Sequence, residues 1–373
     1  MGHTKYVWER PDWPKLKWNS EELLGILGQA RKAQGQIIAQ AAFIGLEEQA
    51  KILVEEAFTT SAIEGEKLDQ KSIGSSVARR LGLPTAGLPP TQRHIDGLIE
   101  MLIDATKSYK NSVTEKRLFG WHAALFPTGY SQLKEIAVAQ WRKGEEPMQV
   151  VSGGFEKIKI HFEAPPSKIV KQEMKQFLEW WNNPPAGLDG LIRAGIAHFW
   201  FVTIHPFDDG NGRMTRALTD MALAQDEKTG RRLYSLSSQI NRERDAYYQI
   251  LEKTQKGGCD ITDWLCWFLE LFTRAIASSQ EIINKALSIA KFWQTHSQSD
   301  LNSRQVKAVN RLLEAGPQGF EGGLTNRKYV SLNKVSPETA KRDLSELEDR
   351  GILKRNKGGG RSVSYSLRMS DRR

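Results

Sequence analysis

The 373-residue sequence predicts a mainly α-helical protein that carries one β-hairpin and ends in a separate basic module. Apolar residues recur at helical spacing along most of the chain, most densely on either side of His205–Arg216. Period-two alternation is confined to one stretch, Met148 to Phe162. The charge is uneven: of a formal +9, the segment from Leu301 onward holds 16 Lys/Arg against 8 Asp/Glu, or +8. The basic excess therefore belongs to the C-terminal module, and the rest is close to neutral.

This length is enough for two or three domains and a sizeable core. With 39% hydrophobic and 26% charged residues the composition is ordinary for a soluble chain. No apolar run approaches the ~20 residues of a membrane span, so no membrane partner is expected. The N-terminus (Lys5, Arg10, Pro11, Pro14) offers no apolar h-region, which reads against a secretory signal. Two cysteines, Cys259 and Cys266, fit neither a disulfide framework nor a zinc site. Buried thiols in a reducing, cytoplasmic compartment are the expectation.

Trp8, Trp13 and Trp18 should pack an N-terminal arm onto the body, and Ser20 reads as the N-cap of a helix with Glu21 and Glu22 in its first turn. A second helix (Leu46, Ala50, Leu53, Val54, Ala57, Phe58) runs into Thr60-Ser61-Ala62-Ile63-Glu64-Gly65, where Thr60 and Glu64 share a face and Gly65 stops the helix. Gly and Pro mark residues 82–92 as a loop. Helices follow near 92–109 and 113–125, with His94 and His122 packed or solvated on them. Met148–Phe162 reads as a hairpin turning at Ser152-Gly153-Gly154, closed by Pro165-Pro166, and Ser167 opens a helix through Trp180-Trp181. Beyond the central loop, Ser238–Gln255 reads as one helix and Ile261 to about Trp293 as a long one. From Ser303 the order is helix (Val306–Leu313), turn, a helix capped by Ser336 with Pro337 at its first position, then a basic hairpin around Lys354–Arg361. That is the layout of a winged helix, with Thr339, Lys341, Arg342 and Ser345 on its recognition helix.

The chemistry concentrates in His205-Pro206-Phe207-Asp208-Asp209-Gly210-Asn211-Gly212-Arg213-Met214-Thr215-Arg216. Apolar helical segments flank it, so it reads as a tight turn opening the second helix at Gly210-Asn211-Gly212. The free N–H groups of a helix N-terminus carry partial positive charge and favour phosphate. Glycine admits a ligand close to that backbone, and Arg213 and Arg216, three apart, add two planar forks. Asp209 offers a hard oxygen to a Mg²⁺ arriving with a nucleotide, and His205 is suited to proton abstraction. By physics alone this is a nucleotide-phosphate site beside a general base.

The stretch resembles the H-P-F-x-[DE]-G-N-G-R-x-x-R signature of the Fic family in every fixed position. The resemblance implies a Fic-type helical core whose hairpin, 148–162, is a flap that takes a target protein by strand addition. It implies transfer of AMP from ATP to a Ser, Thr or Tyr hydroxyl, with His205 as base and Asp209 on Mg²⁺. Gly210, Asn211, Gly212, Arg213 and Arg216 would hold the phosphates, and Tyr247, Tyr248 and Gln255 would line the adenine pocket. Thr60-x-x-x-Glu64-Gly65 resembles the family's inhibitory motif, whose glutamate pairs with the second arginine, here Arg216, and keeps it from the γ-phosphate. The same glutamate could support removal of AMP. The expected domains are 1–90 with the inhibitory helix at about 46–65, a core at 91–297 and a winged helix at 301–370. Transfer of another phosphate-containing group and a DNA-binding regulator with a nucleotide-sensing core are the alternatives. Duplex DNA and a homodimer stay open as partners.

Overall fold

The computed structural model describes residues 6–84, 88–152, 159–296, 300–315, 322–356 and 363–368. The chain divides into two compact units, Met1–Gln280 and Glu281–Arg373.

The first unit opens with α1 (Ser20–Gln40), α2 (Leu46–Ile63), α3 (Gln70–Leu81), α4 (Arg93–Lys107) and α5 (Glu115–Leu125). Two small antiparallel hairpins follow, β1 (Tyr130–Ser131) with β2 (Lys134–Glu135), and β3 (Gln149–Ser152) with β4 (Lys159–Glu163). Then come α6 (Ser167–Asn182), α7 (Gly190–Ile204), α8 (Asn211–Glu227), α9 (Leu236–Arg242), α10 (Arg244–Gln255) and α11 (Thr262–Thr295), with the division between units falling inside α11.

The centre of this unit is α7, buried at every residue from Leu191 to Ile204. A helix apolar all round has no solvent face and must be enclosed, and α7 packs mainly against α8. Asp189 caps it, accepting from the N–H groups of Leu191 and Ile192 at 2.8 and 3.3 Å. The N-terminal arm packs on the body as expected: the Trp8 indole N–H donates to the Glu163 carbonyl at 2.7 Å, and the Tyr6 ring meets Phe162 edge-on at 5.3 Å. Trp13 donates to Glu173 at 2.8 Å.

Several local expectations are corrected. The first helix is capped by Asn19, whose side chain accepts from the Glu21 N–H at 3.1 Å, and Ser20 is already helical. Ser238–Gln255 is two helices, not one, because Glu243 leaves helical geometry at φ −110°, ψ 30°. Its carboxylate is pinned by a two-pronged contact with Arg274 at 2.7 Å, so tertiary pairing sets the break. Neither α3 nor the β1–β2 hairpin was anticipated. The Gly153-Gly154 turn of the flap lies outside the described residues.

The second unit contains α12 (Ser303–Ala315), β5 (Leu324–Thr325), α13 (Asn326–Asn333), α14 (Pro337–Asp349), β6 (Leu353–Arg355) and β7 (Ser364–Leu367), its sheet ordered β5–β7–β6. Ser336 caps α14 with Pro337 in the first turn, as the sequence predicted. Inside, Asp343 is buried and takes the Tyr329 hydroxyl at 3.0 Å and Arg304 Nε at 2.8 Å. Leu344 and Leu347 of α14 join Leu312, Leu324, Ile352 and Tyr365 in its core. Lys341, Arg342 and Ser345 are exposed, whereas Thr339 is half-buried and engaged with the Ser336 cap. The tip of the basic hairpin, 357–362, lies outside the described residues.

Candidate active site

The loop between α7 and α8 is built around a histidine in an unusual backbone state. His205 ends α7 in the left-handed region, φ 52°, ψ 58°, with its N–H on the Phe201 carbonyl at 3.1 Å. A non-glycine residue stays there only when its surroundings over-determine it. Its Nδ1 lies 3.2 Å from the Val202 carbonyl, which can only accept. That contact fixes the proton on Nδ1 and leaves Nε2 as the free lone pair. Burial pushes the imidazole pKa down to about 4, reinforced by Arg142 and opposed by the Val202 contact, Glu64 and Asp209. At neutral pH the ring is therefore an uncharged proton acceptor.

Asn211 staples the loop shut. Its Oδ1 accepts from the Phe207 N–H at 2.9 Å and its Nδ2 donates to the Phe207 carbonyl at 2.8 Å. The Asn211 side chain is thus committed to the loop, and the phosphate role expected of the Gly210–Gly212 backbone does not call on it. His122 buttresses the same loop from α5, fully buried and stacked on Phe207 at 4.3 Å. Its Nδ1 accepts from the Ala139 N–H at 3.2 Å, so its Nε2–H donates to the Asp209 carbonyl at 3.1 Å. Burial holds its pKa down at about 4. Packed, not solvated, is the outcome for His122.

At the start of α8, Gly210 has φ 83° and provides no side-chain cap. An added Cβ there would lie 2.8 Å from Phe126, so glycine is required twice over. A Cβ on Gly212 would sit 2.0 Å from Glu64 Oε1 and 3.0 Å from Arg216 Nη1. A carboxylate oxygen from Glu64, the C-cap of α2, therefore lies directly over the first turn of α8. Glu64 Oε1 also accepts from Arg216 Nη2 at 2.8 Å. Thr60 completes the hold on Arg216, its hydroxyl taking Nε at 2.7 Å and its carbonyl taking Nη2 at 2.8 Å. Arg216 is 1% exposed; burial pulls its pKa down, but Glu64 and then Tyr247 outweigh it and the pKa is raised.

Arg213 is engaged in parallel. Its Nη1 meets Glu66 Oε2 at 3.0 Å, its guanidinium lies over the Phe126 ring at 5.0 Å, and Asp209 Oδ2 is 4.0 Å from Nη2. Asp209 itself accepts from the Gly210 N–H at 2.5 Å and from the Ser131 hydroxyl. Asp208 faces the other way and takes the Ala137 N–H at 2.9 Å.

The residues expected to line an adenine pocket divide. Tyr247 is buried with its hydroxyl 2.9 Å from His198 Nε2. Gln255 is buried and donates to Thr203 at 3.3 Å. Tyr248 is half-exposed, and its phenol pKa is raised by burial, then by Glu64. Tyr248 thus keeps an accessible edge, whereas the polar ends of Tyr247 and Gln255 are engaged by side chains of α7.

Sequence reasoning missed Glu66, Ser131 and Arg142. Glu66 sits two residues past Glu64 and carried its own signal, an acid beyond the helix stop. Ser131 and Arg142 belong to stretches with no periodicity, and nothing local marks them.

An uncharged histidine, a glycine-built helix N-terminus and two arginines on one loop define a Fic-type site. Residues 112–223, which include the whole His205–Arg216 stretch, match the Fic/DOC family model. Residues 6–83 match a domain of unknown function (DUF4172) and 321–365 a DeoR-like helix-turn-helix domain, in keeping with the winged-helix layout. Among curated relatives, a protein adenylyltransferase of Caenorhabditis elegans is 38% identical over 57 residues, 15% of this chain and 11% of that protein. One of Drosophila willistoni is 30% identical over 146 residues, 39% of this chain and 25% of that one. A probable protein adenylyltransferase of Aquifex aeolicus is 28% identical over 104 residues, 28% of this chain and 30% of that one. The matches thus span at most 30% of these relatives' lengths. A Fic family protein from Desulfovibrio desulfuricans shares the fold, with TM-score 0.58 and 17% identity over 94% of this chain and 97% of that one. So does a Fic-domain signaling protein from Bacteroides thetaiotaomicron, with TM-score 0.50 and 18% identity over 69% and 98%.

Proposed function

We propose that this chain is an autoinhibited protein adenylyltransferase, moving AMP from ATP to a hydroxyl on a target protein. The observation that carries the reading is the position of Glu64 Oε1, held by Arg216 at 2.8 Å over Gly212. It occupies with a carboxylate the place where a helix N-terminus and an arginine fork would receive a phosphate.

In the transfer step, the acceptor hydroxyl gives its proton to His205 Nε2 as its oxygen bonds to the α-phosphorus, and the bond to the departing pyrophosphate breaks. The first-turn N–H groups of α8 stabilise charge on the phosphates, and Arg213 and Arg216 clamp the β- and γ-phosphates once their acids withdraw. Asp209, with one carboxylate at the helix start, fits a divalent ion that arrives already bound to ATP. The described residues contain no group of three or more acids, histidines or cysteines that would cage one independently. Mg²⁺ would neutralise phosphate charge there. The strands β3 and β4, with Val151 and Ile160 exposed, would pair with an extended segment of the target.

Incubation with ATP labelled on the α-phosphate tests the reading. Glu64→Gly should label itself or lysate proteins on the order of 10–100-fold more than the parent, equivalent to ~1.4–2.8 kcal/mol released at Arg216. Equal labelling of the two forms removes the autoinhibition. No labelling with α-labelled ATP, together with labelling from another phosphate-containing nucleotide, replaces AMP as the transferred group.

A second role is proposed for the C-terminal unit on the strength of its helix-turn-helix match and its exposed Lys341 and Arg342. It would bind duplex DNA with an affinity that falls steeply with salt.

A further inference from the structure

Arg142 lies outside the signature, in the extended stretch between β2 and β3, and is 4% exposed. Its Nε donates to the His205 carbonyl at 2.7 Å, and its Nη2 donates to the Ile204 carbonyl at 3.4 Å and to the Pro165 carbonyl. Its own N–H donates to the Pro206 carbonyl at 2.9 Å. One planar side chain therefore spans two elements. On one side are the last carbonyls of α7 and the histidine; on the other is Pro165, two residues beyond the end of β4.

A guanidinium cannot flex between its nitrogens, so the separation of the two carbonyl groups is fixed by the fork. His205, in a backbone state that needs external support, receives that support at its carbonyl from Arg142. We propose that Arg142 is a positioning residue that ties the base of the flap to the catalytic histidine, so that a segment seated on the flap sets where the imidazole stands. The identity of that segment rests on the adenylyl-transfer reading; the mechanical tie does not.

A simpler role, capping the negative end of α7, would also use these carbonyls. The two roles separate in a lysine variant, which keeps the charge and loses the fork. The charged groups that reach His205 are Arg142 from the strand side, Glu64 from α2 and Asp209 from the loop. Arg142 is the cation among them and, after burial, holds the ring uncharged.

The test uses the full chain with ¹⁵N-labelled histidine, the His205 signal being assigned by its loss in His205→Gln. The parent should show the Nδ1–H tautomer, titrating near 4. In Arg142→Met the ring should titrate upward, towards the ordinary value of about 6.5, and lose its single tautomer. Arg142→Lys should keep the low titration, because an ammonium supplies charge but not the fork. Combined with Glu64→Gly, it should still lose on the order of 10-fold in kcat for labelling, with the KM for ATP within about two-fold, since misplacing a reacting group by an ångström costs up to ~10²-fold. A purely capping role predicts that Arg142→Lys restores kcat, and that result overturns the proposal. So does an Arg142→Met protein whose His205 titrates and tautomerises like the parent. If Arg142→Met does not fold, the kcat of Arg142→Lys decides. If no variant labels anything, the adenylyl reading has failed, and the tautomer of His205 in Arg142→Lys still decides the tie: a single Nδ1–H tautomer like the parent's overturns it.

Discussion

The two ends of the His205–Arg216 loop are held by different kinds of partner. At the histidine end, the contacts come from the Val202 backbone and from the side chains of Arg142, Asn211 and His122, all of them committed to holding the loop. At the arginine end, the contacts come from outside the loop: Glu64 and Thr60 on Arg216, and Glu66 on Arg213. The first set can be removed only by unravelling the loop. The second includes two acids, Glu64 and Glu66, which phosphate oxygens can replace in kind. The left-handed backbone of His205 thus stands at one end, and the acid–arginine pairs stand at the other.

The largest effect should come from breaking the histidine end. In the Glu64→Gly background, His205→Ala should lower labelling by ~10²–10⁴-fold, the usual range for a lost general base. ATP should bind with nearly unchanged affinity, measurable by calorimetry. Labelling within a few-fold of the parent would move proton abstraction elsewhere.

A smaller effect concerns pH. His205 has a depressed pKa, so the active, unprotonated form is present above about 4 and is lost as pH falls through that value. The acid limb of kcat/KM, which reports the free enzyme, should therefore lie well below the ordinary histidine value of about 6.5. A limb near 6.5 would mean that the imidazole is solvated in solution. Folding must be followed alongside by circular dichroism. His122 and His198 are buried with pKa values depressed to about 4 and 3. Each contributes stability that is present above its unfolded pKa and declines as pH falls from there towards its folded value.

The contrast between the ends also explains what could be read from the sequence. The glycines, the histidine and both arginines are contiguous, and their chemistry follows from local helix geometry, so the phosphate end was legible. Gly210 and Gly212 stand where the structure has room only for glycine. The stapling role of the Asn211 side chain gave no signal, because its backbone partners come within reach only when the loop closes. The Glu64–Arg216 pair spans 152 positions and was accessible only through family resemblance. Arg142 gave no signal, since its partners are carbonyls, which every residue has. The break at Glu243 was hidden for a related reason: it is made by Arg274, in another helix.

The smallest expected effect tests whether the arginine end has one exchangeable partner or two. Glu66 is 36% exposed, and its 3.0 Å contact with Arg213 competes with solvent. Such pairs are worth roughly 0.2–1 kcal/mol, so the contact cannot match Glu64, which meets an arginine almost wholly buried. Yet Arg213 is 9% exposed, and its Nε has no hydrogen-bond partner among the described residues, so its guanidinium is under-satisfied by them even with Glu66 in place. An incoming phosphate would have to displace Glu66 to meet Nη1. Glu66→Ala in the Glu64→Gly background should therefore tighten ATP binding by ~1.5–5-fold, the equivalent of that energy range, with kcat little changed. Weaker ATP binding would reverse the assignment: Glu66 would then be orienting Arg213 for the phosphate, and the withholding of access would rest on Glu64 alone. His94 supplies a control, because its Nε2 is 3.8 Å from the other Glu66 oxygen. His94→Ala should leave ATP affinity unchanged if the effect runs through Arg213, and should reproduce the Glu66→Ala change if it runs through the placement of the 60–66 segment.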